Sequence, residues 1–255
     1  MDLEIKGRIA VVNGASQGIG FAIAKLLAEE GAEIAIAARR QPALDQAAEA
    51  ILAATGRKAL AVTGDIRKAE DCARIASVVA DSFGGIDILI NNDGAPPLGR
   101  SLEFDDEAWH RAVDQNLMSV VRMCRAVVPY MRERGAGSIV NISALSMLQP
   151  QEGFGLSVAT WAAVMGLAKT LSLELARDNI TINTICPGLI ETPRLHKVTE
   201  QSGQAMRDMA AQIPVGRVGK PEDIAALTAL LVSPRGSYIT GTTTQVDGGL
   251  LRGIR

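Results

Sequence analysis

The 255-residue chain predicts an α/β fold, a doubly wound seven-stranded parallel sheet with helices on both faces. Three observations predict it. Strand-like and helix-like segments alternate from end to end. The strand-like runs are continuously apolar, as strands buried on both faces are. The first of them ends in a glycine-rich turn, VVNGASQGIG (11–20), which opens a helical pattern.

The elements follow in order. RIAVV (8–12) is a short apolar run stopped by Asn13-Gly14. Ile19, Ile23, Leu26 and Leu27 then recur at helical spacing, and Gly31 closes that helix. EIAIAA (33–38) is the second strand, 44–54 a helix, and KALAVTGD (58–65) the third strand. Residues 70–83 are helical until Gly84-Gly85 stops them, and IDILIN (86–91) is the fourth strand. NDGAPPLG (92–99) is a loop, and 109–134 reads as one long helix with a glycine-rich end. SIVNIS (138–143) is the fifth strand, 144–156 a loop, and 158–177 another long helix. TINTIC (181–186) is the sixth strand, ended by Pro187-Gly188. Residues 191–213 read as irregular and lid-like. Pro221-Glu222-Asp223 opens a helix through Leu231, and TTTQVD (242–247) is the last strand. With no repeat, low-complexity tract or linker, 1–255 reads as one domain.

Bulk properties exclude several classes. The net charge of −2 gives no electrostatic case for nucleic acid or an anionic membrane. Cys72, Cys124 and Cys186 are scattered, odd in number and without metal-ligand spacing, so no metal site is expected. Aromatics are only 3%, so aliphatic side chains must fill the core. No uncharged apolar run reaches the ~20 residues of a membrane span. The first residues, MDLEIKGRIAVV, do not read as a signal peptide, and a cytoplasmic protein is expected.

Gly14, Gly18 and Gly20 let the backbone approach a pyrophosphate while helix N–H groups point at it. Their G-x-x-x-G-x-G spacing resembles the short-chain dehydrogenase/reductase family, and the resemblance runs the length of the chain. NNDG (91–94) resembles the family's N-N-A-G, with Asp93 replacing Ala. DQNLMSV holds Asn116 where the family has a helix Asn, and CPGLIET (186–192) resembles its P-G-x-x-x-T. Residues 216–249 resemble its C-terminal region almost without a break.

The resemblance implies a Rossmann-type fold and a dinucleotide held by Gly14, Ser16, Gln17, Gly18, Ile19 and Gly20. Asp65 would contact the adenine, Asn92 and Gly94 would make backbone or ribose contacts, and Ile66 would also bind the cofactor. Pro187, Gly188, Ile190 and Thr192 would also bind the cofactor, and Trp161 would pack against the nicotinamide ribose. The family's acid at the end of the second strand falls on Ala38, followed by Arg39-Arg40. No carboxylate repels a 2′-phosphate there, and a guanidinium binds one bidentately, which favours NADP(H) over NAD(H). The resemblance also implies a homodimer or tetramer, with the helices at 109–134 and 158–177 forming the dimer surface.

The catalytic positions depart from the family. Its chemistry uses a Tyr acid, a Lys four residues later that lowers the phenol's pKa, a Ser and an Asn. The helix WAAVMGLAKTLSLELA (161–176) puts Trp161 at the Lys and Ser157 at the Tyr. The Ser position falls on Ala144, beside Ser143, and Asn116 alone matches cleanly. Asn116, Ser143 and Ser157 are therefore the catalytic candidates. Ser146, Gln149, Glu152, Glu191, His196, Lys197 and Glu200 are further polar groups near the pocket, His196 being the best suited near neutral pH. NNDGAPPLG further resembles a divergent bacterial subgroup of oxidoreductases in which Ser replaces the Tyr. The expected activity is NADP(H)-dependent oxidoreduction of a carbonyl or alcohol. A cofactor-binding sensor or partner subunit, and a non-redox isomerase or lyase, are the competing readings.

Overall fold

The central apolar runs become strands because they are buried from both sides, while the edge strands at 59–63 and 243–246 are mostly half-buried. In order they are β1 (Ile9–Asn13), β2 (Glu33–Ala38), β3 (Ala59–Thr63), β4 (Ile88–Asn91), β5 (Gly137–Ile142), β6 (Ile180–Pro187) and β7 (Thr243–Val246). The computed structural model describes residues 2–202 and 205–253. The strands form one sheet in the order β3-β2-β1-β4-β5-β6-β7, every pair parallel. The chain reverses its direction of winding between β1 and β4. A crevice opens outside the carboxyl ends of the strands at such a switch point.

Two apolar clusters cover the two faces. On one, α1 (Gly18–Glu29), α2 (Gln41–Thr55) and α9 (Pro221–Val232) contribute Ile23, Leu27, Leu44 and Ile224. On the other lie α3 (Ala69–Phe83), α5 (Ser119–Arg134) and α6 (Gly155–Leu175), with Ile75, Met123, Val127 and Val164 at the centre. The segment Gly155–Asp178 is long and apolar enough by composition alone to cross a membrane. Here its apolar residues Val164, Ala168 and Leu175 belong to the core.

The single long helix expected over 109–134 is corrected. It divides into α4 (Asp106–Ala112), a π-helical turn (Val113–Met118) and α5. Asp105 caps α4, its carboxylate accepting from the Ala108 N–H at 2.8 Å. The wider i→i+5 turn inserts an extra residue into the ladder, a device common at functional sites. It leaves Asn116 fully buried against α6.

The irregular 191–213 segment is also corrected. It holds α7 (Pro193–Ser202) and α8 (Met206–Gln212); residues 203 and 204 of that segment lie outside the described ones. Thr192 starts α7, its Oγ1 accepting from the Leu195 N–H at 3.3 Å. Pro193 follows at the first helical position, where its missing N–H costs nothing. Leu195, Met209 and Ile213 anchor the segment in the protein.

Candidate functional site: a cleft at the switch point

A cleft of about 620 Å³ lies at the carboxyl ends of β1, β2, β3 and β4. Its floor is the glycine-rich turn. Gly14 has φ +62°, and any Cβ there would collide with the Asn92 backbone carbonyl. At Gly20 a Cβ would lie 2.6 Å from the Gly14 carbonyl oxygen. The Asn92 side chain fills the space these glycines leave, donating from Nδ2 to the carbonyls of Asn13 and Gly14 at 3.2 Å each. Behind it, Asn91 donates to Asn141 Oδ1 at 2.9 Å and accepts from Asn13 at 3.4 Å, joining the ends of β1, β4 and β5. At the start of α1, Gln17 makes no side-chain cap and the first turn holds no acid. The orphan N–H groups there favour an anion.

Arg39 and Arg40 follow β2 and line the cleft, both exposed. Among the described residues, neither donates a hydrogen bond or forms an ion pair. Asp65 faces them with its carboxylate already engaged. Arg67 Nε donates to Asp65 Oδ1 at 2.8 Å, and a second guanidinium nitrogen reaches Oδ2. That fork, more than any other influence, holds the Asp65 carboxyl below the usual carboxylate range. Asp93 shows the opposite shift, because burial raises it despite a 2.7 Å bond from the Gly94 N–H. Arg39 and Arg67 both oppose that rise.

Twelve of the expected cofactor residues line this one cleft: Gly14, Ser16, Gln17, Gly18, Ile19 and Arg39, together with Arg40, Asp65, Ile66, Asn92, Gly94 and Thr192. Five do not line it. Gly20 acts through the close approach described above. Pro187 ends β6 in register with Val246, and the Gly188 N–H donates to the Val246 carbonyl at 3.0 Å. Ile190 is buried and bridges to Gly219, so these three build the wall that carries Thr192. Trp161 is only 4% exposed and belongs to the apolar cluster with Met147, Leu148 and Val164.

The catalytic candidates are positioned from three elements. Asn116 Nδ2 donates to Thr160 Oγ1 at 2.8 Å, and Thr160 donates on to the Leu156 carbonyl at 2.7 Å. Asn116 Oδ1 is buried with no partner among the described residues, an acceptor left for a bound donor. Ser157 stands one turn before Trp161 on α6 and is 3% exposed. Its hydroxyl has no protein partner among the described residues. Ser143 is placed differently, its hydroxyl donating to the Ile185 carbonyl at 2.9 Å and touching Cys186 Sγ. Of the other polar candidates, Gln149 accepts from the Arg252 N–H and Glu191 pairs with His196 at 3.7 Å.

Sequence reasoning missed Arg67, Gln115, Pro193 and Arg194, all of which line the cleft. Arg67 stood two residues beyond Asp65, a legible pairing distance. Arg194 carried no such signal, because its partners Ala95 and Pro96 lie about a hundred residues away in sequence.

Residues 14–251 match the family model described as enoyl-(acyl carrier protein) reductase. The chain is 36% identical over 249 residues to rabbit (Oryctolagus cuniculus) dehydrogenase/reductase SDR family member 4, covering 96% of this chain and 94% of that protein. This chain belongs to the short-chain dehydrogenase/reductase family. As a member it is an NAD(P)-dependent oxidoreductase with the family's Rossmann-type fold. Among solved short-chain dehydrogenase/reductase structures, L-sorbose reductase from Gluconobacter frateurii, complexed with NADPH and L-sorbose, superposes with a TM-score of 0.95 at 36% identity over all of both chains. An NADPH-bound short chain oxidoreductase from Pseudomonas aeruginosa PAO1, described as containing an atypical catalytic center, superposes with a TM-score of 0.92. It is 32% identical over 97% of this chain and 98% of that one.

Proposed function

We propose that the protein is an NADP(H)-dependent reductase or dehydrogenase of a small carbonyl or alcohol, working without the Tyr-Lys pair. The observation that carries the cofactor assignment is the pair of unengaged guanidinium groups, Arg39 and Arg40, after β2. Ala38 precedes them where an acid would favour a ribose 2′-OH. The glycine cradle and the uncapped N-terminus of α1 fit the diphosphate. When bound, the reduced nicotinamide supplies the hydride.

The chain's own residues then have separable tasks. Ser157 presents a hydroxyl with no protein partner and orients the substrate oxygen. Asn116, held through Thr160, offers its buried Oδ1 to a donor on the same side. Ser143 ties the ends of β5 and β6 together behind them. Trp161 fills with packed indole the place of a charged side chain, so position 161 supplies no ammonium to activate Ser157. The proton therefore comes through solvent rather than from a tuned phenol. Function without that pair is supported by the Pseudomonas aeruginosa structure's description. We further propose that the protein works in the cytoplasm, and that it does so as a homodimer or tetramer in which Leu173, 73% exposed on α6, meets another copy.

The test follows NADPH consumption at 340 nm against a panel of ketones and aldehydes, for the native protein and S157A. The expected result is turnover that falls about a hundredfold in kcat with S157A while NADPH binding stays constant. Equal turnover by both proteins would remove Ser157 from the chemistry. A native protein that binds NADPH and reduces none of the panel would favour the sensor reading.

A further inference from the structure

The cleft contains four arginines, and they divide by partner. Arg67 is committed to Asp65. Among the described residues, Arg39, Arg40 and Arg194 have no carboxylate partner. Arg39 and Arg40 stand at the β2 end. Arg194 stands on α7, at the other side, and among the described residues its hydrogen bonds go to neutral groups. Nη1 donates to the Ala95 carbonyl and Nη2 to the Pro96 carbonyl, both at 3.3 Å. Arg194 thus reaches from the Thr192–Arg194 wall to the 92–99 loop on the opposite wall. Partial burial of its guanidinium lowers its pKa, although the residue as a whole is exposed.

A guanidinium held by two long bonds to neutral carbonyls gains by exchanging them for an anion, since the opposite charge adds Coulomb attraction and the fork matches a phosphate bidentately. The glycine-rich turn brings such a place within reach. A Cβ on Gly18 would be 3.5 Å from the Thr192 side chain and 4.0 Å from Pro193. Arg194 is the next residue. The uncapped N–H groups of α1 face the same turn from the other side.

We infer that Arg194 is a second anion-binding group of the cleft, which leaves the Ala95 and Pro96 carbonyls to hold the dinucleotide's diphosphate against the N-terminus of α1. The inference rests on the cofactor reading above. It divides recognition in two: Arg39 and Arg40 take the 2′-phosphate, and Arg194 takes the phosphates between the two nucleosides. It also couples cofactor binding to α7, because the guanidinium that meets the phosphates is carried by that helix.

Equilibrium titrations of NADPH and of adenosine 2′-monophosphate, which has no 5′-phosphate, separate these roles. The proteins are the native chain, R194Q, R194K and R39A. R194Q is expected to weaken NADPH roughly tenfold or more and to leave adenosine 2′-monophosphate unchanged. R194K, which keeps the charge, recovers part of the loss. R39A is expected to weaken both ligands. R194Q binding NADPH like the native protein would overturn the inference and leave the cofactor reading intact. R194Q weakening both ligands equally would overturn it as well, since a general loosening of the cleft would account for the loss. A native protein that binds no NADPH would overturn the cofactor reading first.

Discussion

At the scale of single residues, the replacement at Trp161 is the most informative. A lysine in the equivalent place would need water or a counter-ion around its ammonium. The indole is instead 4% exposed and belongs to the apolar cluster on the α6 face of the sheet. The departure from the family pattern has therefore been absorbed into the core, and restoring the lysine would bury an unpaired charge. W161A is expected to cost about 3–5 kcal/mol, and W161K at least as much. Urea unfolding of the three proteins measures this. A cost below about 1 kcal/mol for W161K would mean that its side chain reaches solvent, and that the site can be rebuilt for conventional chemistry. Asp65 teaches a related lesson. Its position matched the family's adenine contact, yet its carboxylate is forked onto Arg67. Sequence position identified the residue but could not report that its acceptors were already used.

At the scale of elements, caps decide where helices begin, and one cap has a measurable pH signature. Asp223, in the first turn of α9, accepts from the Lys220 N–H at 2.7 Å and from both terminal nitrogens of Arg217. The Arg217 fork, with that backbone bond, lowers its pKa from 3.8 to about 2. The stabilisation from a depressed carboxyl is fully present above the unfolded value and is lost as pH falls through the folded one. The melting temperature of the native protein should thus exceed that of D223N above about pH 4. The two should converge as pH falls toward about 2, as thermal unfolding across pH 2–7 would show. A constant difference over that range would contradict the assignment. Elements were unevenly legible. EIAIAA (33–38) predicted β2 residue for residue, because a doubly buried strand leaves no room for polar side chains. The π-helical turn at Val113–Met118 was invisible, since hydrophobic spacing reports which face is buried and not whether the hydrogen bonds span five residues or four. The helix at 193–202 was missed because its sequence is polar, although Thr192-Pro193 was a sound start signal, and the one at 206–212 because two turns are too short to show a period.

At the scale of the whole molecule, the fold places its binding machinery where the sheet changes winding direction. The glycine turn after β1, the arginines after β2, Asp65 after β3 and Asn92 after β4 meet in one cleft. That convergence was legible, because each piece sits at a strand end and parallel strands deliver their ends to one edge. The parts that were not legible come from across the cleft. Arg194 belongs to α7, and only tertiary structure brings it to the carbonyls of Ala95 and Pro96. The proton-transfer apparatus was the least legible, because absence of Tyr and Lys names no replacement. The central claim is that Arg39 and Arg40 make this cleft a receptor for the phosphorylated dinucleotide. Parallel titration of the native protein with NADPH and NADH, followed by nucleotide fluorescence, tests it most directly. NADPH is predicted to bind at least tenfold tighter, and R39A should reduce that ratio through weaker NADPH binding. Equal or tighter binding of NADH by the native protein would contradict it.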